Sequence, residues 1–290
     1  MPEPTVSVVV TAHGASPELA RCVRAIHGAR PPDELFVADG GDADPTAQLA
    51  RECPQVVVLH RPGLSVPALR WTAARMATGD IIATTEARME PALGWWRALA
   101  DAHERWPAAR VIGGLVGLSE DASACDRGLY LSEYVEFAPG ASLGDARSLS
   151  SGNLSYKRDA LLAERDILDR GVWDTVLHQR WTKTEGAMRL ERAEVVFLNG
   201  MSSRTARTMR FTYGRSYAVE RVRGAAPWRR ALFGAGALVL PLLLTWRAIG
   251  AALRHRSPAL TPAAVVWLLW FNTCWAAGEM AGYLVGDARR

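Results

Sequence analysis

Asp39, Glu86 and Asp174 occupy positions from which a carboxylate can meet a ligand, with Arg70 and Arg88 close by in the chain. Glu86 ends the run Ile81-Ile82-Ala83-Thr84-Thr85, a short apolar strand that follows the turn Gly79-Asp80 and is stopped by Pro91. In open α/β sheets ligands bind outside the carboxyl ends of the strands, so Glu86 is placed to meet a nucleotide diphosphate, directly or through a divalent metal. Asp39 follows the strand Glu34–Ala38 and can accept from a pyrimidine N–H or a ribose hydroxyl; as a turn aspartate it can also satisfy its own loop. Arg70 lies on a helix heading for the same edge, where it reaches a phosphate or keeps a solvated head. Asp174 opens a helix, complementing its dipole or taking a proton from a hydroxyl. His178, at i+4 on the same face, reads as an ordinary surface histidine unless it tunes Asp174 or meets a phosphate.

These types suit transfer from an activated, diphosphate-bearing donor. Charge grows on such a leaving group as its bond breaks, and preorganised cations stabilise it. Other chemistries lack their residues. The chain has no Ser-His-Asp spacing, P-loop, HExxH or CxxC, and its glycines make no dinucleotide fingerprint. A net charge of +4 over 290 residues gives no reason to expect nucleic acid as a partner.

Alternating strands and helices must position these groups. Val6–Ala12 is a continuous apolar run suited to a strand buried on both faces. Ser16 and Pro17 open a helix to about Gly28, with Leu19, Cys22, Val23 and Ile26 on one face. A second strand at Glu34–Ala38, a helix at Thr46–Glu52, a third strand at Val56–Leu59 and a helix at Val66–Ala77 follow. This order predicts an α/β fold with a mostly parallel sheet and helices on both faces. Residues 92–110 read as a helix and Val111–Leu118 as a Gly-interrupted strand, with a loop or short helix over Glu120–Leu149.

In four places the chain resembles the family 2 glycosyltransferases, whose catalytic domain is the Rossmann-like GT-A fold. Thr11-Ala12-His13-Gly14 resembles that family's nucleotide-contacting turn. Phe36–Thr46 is similar to its VVDDGSTDGT-type loop, with Asp39 at the acid facing base or ribose. Leu69-Arg70 through Gly79-Asp80 resembles the arginine-bearing helix before the metal motif, and Ser151–Arg158 the entry to the acceptor half. The resemblance covers roughly residues 5–220. It implies nucleotide-sugar binding by Thr11, Ala12, His13, Asp39, Arg70, Glu86 and Arg88. Acceptor or phosphate contact falls to Asn153 and Arg215, catalysis to Glu86 and Asp174, and direct displacement inverts the sugar. Asp174 takes the general-base position, preceded by Trp173 where related enzymes most often carry Glu-Asp.

The metal motif departs from the pattern. Related enzymes carry Asp-x-Asp, and this chain has Glu86-Ala87-Arg88. A cation where the second acid should stand repels Mg2+ or Mn2+. Three outcomes stay open: an ion held by Glu86 and the diphosphate, a metal-free site in which Arg88 contacts the phosphates, or lost catalysis.

Composition shifts after Gly224. Ala231–Trp246 is sixteen residues without a charge and Ala259–Gly278 twenty, and five of the eleven tryptophans fall in this stretch. The pattern predicts a two-helix transmembrane hairpin, spans about 231–252 and 259–284, after a catalytic domain at 1–224. Pro241 should kink the first span, and a re-entrant or interfacial hairpin is the alternative. Arg204–Arg223 is a basic amphipathic segment suited to anionic headgroups or a lipid phosphate. The N-terminal run is too short for a signal peptide. Arginines before the first span, with Arg289 and Arg290 after the second, place both ends in the cytosol by the positive-inside rule. Four separated cysteines fit a reducing compartment.

The expectation is a membrane-bound inverting glycosyltransferase, its catalytic domain facing the cytoplasm, with a nucleotide-sugar donor and a lipid-linked or membrane-proximal acceptor. A membrane-anchored binding protein on the same frame and a nucleotidyltransferase are its rivals.

Overall fold

A computed structural model describes residues 3–28, 30–198 and 200–285. The chain forms two compact units, Met1–Gly117 with Ala141–Leu198, and Leu118–Gly140 with Asn199–Arg290.

In the first unit the order is β1 (Val6–Ala12), α1 (Pro17–His27), β2 (Glu34–Asp39), α2 (Thr46–Glu52), β3 (Val57–His60), α3 (Val66–Met76) and β4 (Ile81–Glu86). Then come β5 (Met89–Pro91), α4 (Trp95–Arg105) and β6 (Val111–Leu118). After α5 (Ala124–Glu133), which belongs to the second unit, follow β7 (Gly144–Asp145), β8 (Asn153–Lys157), α6 (Arg158–Leu162), α7 (Arg165–Asp169), α8 (Asp174–Trp181) and β9 (Met188–Phe197). Ser16 caps α1 by accepting from Leu19 N at 3.1 Å, as the sequence led one to expect.

Among the described residues the sheet has nine strands in the order β3-β2-β1-β4-β8-β6-β9-β5, with β7 beside β9. Only its first half is parallel, β1 pairing with β2 and β4, and β2 with β3. β8 runs antiparallel to β4 and β6, and β5 and β7 antiparallel to β9. The sheet is therefore mixed rather than mostly parallel. A parallel neighbour needs a crossover of a dozen or more residues. The chain supplies one between each of the first strands but only two residues between β4 and β5.

Val8, Val9 and Val10 of β1 are wholly buried, as their unbroken apolar run requires of a strand covered on both faces. His103 of α4 is buried with Nε2 3.0 Å from Ser155 Oγ, and burial lowers its pKa from 6.5 to about 4. The unfolded chain therefore binds a proton that the folded chain refuses between pH 6.5 and 4. Stability is full above that window and declines as pH falls through it, by about 3 kcal/mol at its acid end. Melting curves for His103→Gln should lose much of the decline between pH 6.5 and 5; an unaltered slope would clear His103 as its source.

The second unit is helical. α5 carries a capping box between Ser123 and Asp126, where no helix longer than a short one was expected. The C-terminal helices are α9 (Ser203–Arg221), α10 (Pro227–Gly236), α11 (Leu240–Arg254) and α12 (Pro262–Leu284). α9 lies so close along α12 that a Cβ on Gly278 would come within 2.1 Å of Phe211 O, and one on Gly214 within 2.3 Å of Trp275 O. The division at 198/199, rather than at 224/225, follows from this packing of α5 and α9 with the terminal helices.

The two expected spans do not appear as such. Among the described residues no single helix is long and apolar enough to cross a membrane. α10 and α11 pass that test only as a pair, bent by 56° at their break, and Pro241 lies in the first turn of α11. α12 is interrupted by buried polar groups with partners on α11 and on α12 itself. Asn272 Nδ2 donates to Thr245 Oγ1 at 3.1 Å, and Glu279 accepts from Trp275 Nε1 and from the Tyr283 hydroxyl, the latter at 2.7 Å. Arg289 and Arg290, used for orientation, lie outside the described residues.

Candidate active site

β1 is the axis of the site because its end is bracketed by β2 and β4. Ala12 pairs with Asp39 and Thr11 with Glu86, so two acids flank one strand end. Thr11 and Ala12 are buried in that strand, and the exposed His13 begins the turn beyond it.

Asp39 holds two loops together. Its Oδ1 accepts from the backbone N–H of Gly14, and of Gly41 at 3.3 Å, and its Oδ2 lies 2.7 Å from His60 Nδ1. The turns approach so closely that a Cβ on Gly41 would lie 2.2 Å from Gly14 N. Gly14 has φ +87°, which a side chain disfavours. Asp39 is fully buried, and both oxygens of its carboxylate are engaged within the site by the loop backbone and His60. The surface offered there belongs to His13, the glycine turns and His60, which is 23% exposed. His60 escaped sequence reasoning, although its place at the end of a third parallel strand was a usable signal.

Arg70 is the hub on the other side. It is fully buried on α3, with Nη1 2.7 Å from Asp174 Oδ2 and Nη2 3.3 Å from Glu86 Oε1. Glu86 Oε2 lies 3.5 Å from Arg88 Nη2, and the Arg88 guanidinium sits 5.4 Å from the Phe197 ring centroid, within cation–π range. Asp174 opens α8, also accepts from Ser151 Oγ at 2.7 Å, and is itself fully buried. The order Arg88, Glu86, Arg70, Asp174, Ser151 thus forms one continuous polar chain from β4 to α8. Two carboxylates balance two guanidiniums in it, which is what allows charges to be buried at all.

Behind Asp174 lies an aromatic wall. Trp71, Trp181 and His178 surround Tyr156, whose hydroxyl is 3.2 Å from His178 Nε2. His178 is buried, not on the surface as expected, and desolvation lowers its pKa against the opposing pull of Asp174. Desolvation, aided by Asp174, raises that of Tyr156 well above its ordinary value. A neutral imidazole and a protonated phenol leave Asp174 and Arg70 as the charged groups here.

Asn153 is placed against its expected role. Its Nδ2 donates to Leu115 O and Ala193 O at 2.9 and 2.8 Å, and its Oδ1 accepts from Trp95 Nε1 at 2.8 Å. Fully buried and internally satisfied, it ties β6, β9 and α4 together instead of presenting an amide to an acceptor. Arg215 is a half-buried residue of α9, in the second unit.

The residues present do not fit a protein-held Mg2+ or Mn2+. Glu86, the one acid left from the motif, has each oxygen turned to an arginine. Among the described residues no group of three or more His, Cys, Asp or Glu could hold an ion.

The sequence pattern described as "Glycosyl transferase family 2" matches residues 7–161, just over half of the chain. No curated protein matches. Among solved structures, GalNAc-T7 with UDP, GalNAc and Mn2+ is similar over 78% of this chain, at 14% identity and a TM-score of 0.53. The chain spans only 52% of that structure's length. Glucosyl-3-phosphoglycerate synthase from Mycobacterium tuberculosis, solved with Mn2+, UDP and glucosyl-3-phosphoglycerate, matches over 74% of this chain and 78% of its own, at 15% identity and a TM-score of 0.45. The first likeness agrees with a GT-A-like fold, and the matched segment includes β1, the Asp39 turn, Arg70, Glu86 and Arg88. On that match the chain belongs to glycosyl transferase family 2.

Proposed function

We propose that the chain transfers a sugar, with inversion, from a nucleotide-sugar to a lipid-linked or membrane-proximal acceptor. The polar chain running from Arg88 through Glu86 and Arg70 to Asp174 carries this reading, because it links a donor edge to a candidate base. The nucleotide lies against the turns that Asp39 organises, with His13 and His60 beside it. Arg70 and Arg88 face the diphosphate. As it draws Arg70, Asp174 exchanges that bond for the acceptor hydroxyl and takes its proton. The acceptor oxygen bonds to the anomeric carbon, the bond from that carbon to the phosphate oxygen breaks, and its electron pair leaves on the nucleoside diphosphate. Glu86 keeps the two arginines apart and aimed. Two guanidiniums supply the positive charge that an ion supplies elsewhere.

Membrane association is supported by the large exposed apolar side chains of α10 and α11, Trp228, Leu232, Leu242 and Trp246 among them. The arginines preceding α10 favour a cytoplasmic catalytic unit under the positive-inside rule.

Detergent-solubilised protein screened against UDP-, GDP- and CDP-sugars should release a nucleoside diphosphate in the presence of a lipid acceptor fraction. Release of pyrophosphate instead would point to nucleotidyl transfer. Turnover should survive EDTA with a loss of no more than a few-fold. A strict requirement, abolished by EDTA and restored by Mn2+, would overturn the role given to Arg88.

A further inference from the structure

The second unit contains a groove of about 400 Å³ that has no part in the chemistry above, lined by Glu136, Trp246, Arg247, Gly250 and Arg254. We infer that this groove is a binding site for the phosphate of an anionic phospholipid at the membrane surface. The inference rests on the membrane-associated reading and goes beyond it, since it names the lipid charge recognised and the residues that recognise it.

Two features converge here. The first is charge. Arg247 and Arg254, seven residues and two turns apart on α11, both reach the groove. Among the described residues one carboxylate pairs with them: Glu136 is 3.5 Å from Arg254 Nη2, with the two side chains 47% and 62% exposed. So long and solvated a pair contributes little, and a phosphate with several oxygens can compete for Arg254 while Arg247 meets it from the next turns.

The second feature is the apolar surface that leads into it. Leu238, Val239, Leu242, Leu243, Trp246 and Leu253 are exposed by 45% to 72%. This surface lies along the break between α10 and α11 and on α11 itself, and all of it but Leu253 falls within the stretch free of charge from Ala231 to Trp246. Apolar side chains at the acyl boundary, an indole at the interface and arginines at headgroup depth are the arrangement by which a helix lies in one leaflet. A bend of 56° suits a segment that enters and leaves the same face. The groove sits where that segment returns to its basic end.

The test uses the full chain, diluted from mild detergent onto vesicles and separated by flotation. Vesicles of phosphatidylcholine alone are compared with vesicles containing 30% phosphatidylglycerol. Wild type should favour the anionic vesicles, and Arg247→Gln/Arg254→Gln should reduce that preference by roughly 10- to 30-fold, as expected for two cations near the surface. The double variant should keep its nucleotide-induced thermal shift, which reports the catalytic unit and shows that the protein is folded. Equal flotation of wild type on both vesicles, or a variant with its preference intact, would overturn the site. So would displacement by glycerol phosphate as effective as that by short-chain phosphatidylglycerol at matched ionic strength, which would assign the groove to a soluble phosphate. A failed groove with nucleotide-sugar turnover intact leaves the transferase reading standing. Lost turnover with lipid preference intact does the reverse.

Discussion

Asp174→Asn should lower turnover by roughly 10²- to 10⁴-fold while the protein stays folded and still binds nucleotide. Asparagine has the same size and keeps an oxygen for Arg70 or Ser151, both 2.7 Å from the present carboxylate. What it cannot do is accept a proton from an acceptor hydroxyl. The measurement is kcat with donor and acceptor saturating, beside the thermal shift induced by UDP, GDP or CDP. Turnover near the wild-type value would remove Asp174 from the chemistry and leave it a helix-opening partner of Arg70. Loss of the nucleotide shift as well would mean that the substitution had disturbed the donor edge, which the placement of Asp174 on α8 does not predict.

Arg70→Leu should cost both stability and activity. Arg70 is fully buried between two acids, so its removal strands Asp174 in a dry site and leaves Glu86 with Arg88 alone. Breaking a buried pair from one side costs roughly 3–5 kcal/mol, which for a unit of this size lowers the melting temperature by roughly 6–20 °C. The double variant Arg70→Leu/Asp174→Leu should recover much of that loss, because no unpaired charge remains inside. Strictly additive losses would show that the two residues stabilise the fold independently. Arg70→Lys should fall between, since one ammonium cannot bridge two carboxylates as a planar fork does.

The sequence announced some parts of this site and concealed others for identifiable reasons. Strand β1, the Asp39 turn, α3 and β4 could be read from apolar runs and capping residues because each depends on neighbours within a few positions. The antiparallel half of the sheet could not. β8 is a short polar-containing strand, Asn153–Lys157, whose place between β4 and β6 depends on partners far away in the chain. Asn153 was expected at an acceptor contact because Ser151–Arg158 resembles the family's segment entering the acceptor half. Leu115, Ala193 and Trp95 decided that it is internal.

The terminal helices show the same division. A charge-free run of twenty residues suggested a span, and among the described residues α12 is not long and apolar enough to be one. Its fate was set by Asn272 and Glu279, which find partners on α11 and on α12 itself, and by glycines that bring α9 against its backbone. A hydropathy pattern records how much apolar surface a helix has, and it does not record what covers that surface.

Local order and four stretches resembling a known family therefore pointed to the class, an α/β fold of glycosyl transferase family 2 with an acid and an arginine where a metal motif is usual. Folding settled which charges meet. Arg70 and Asp174 are 104 positions apart, and no local pattern relates them. Their contact exists because α3 and α8 bring both into one dry pocket, where a lone charge is costly and a paired one can persist.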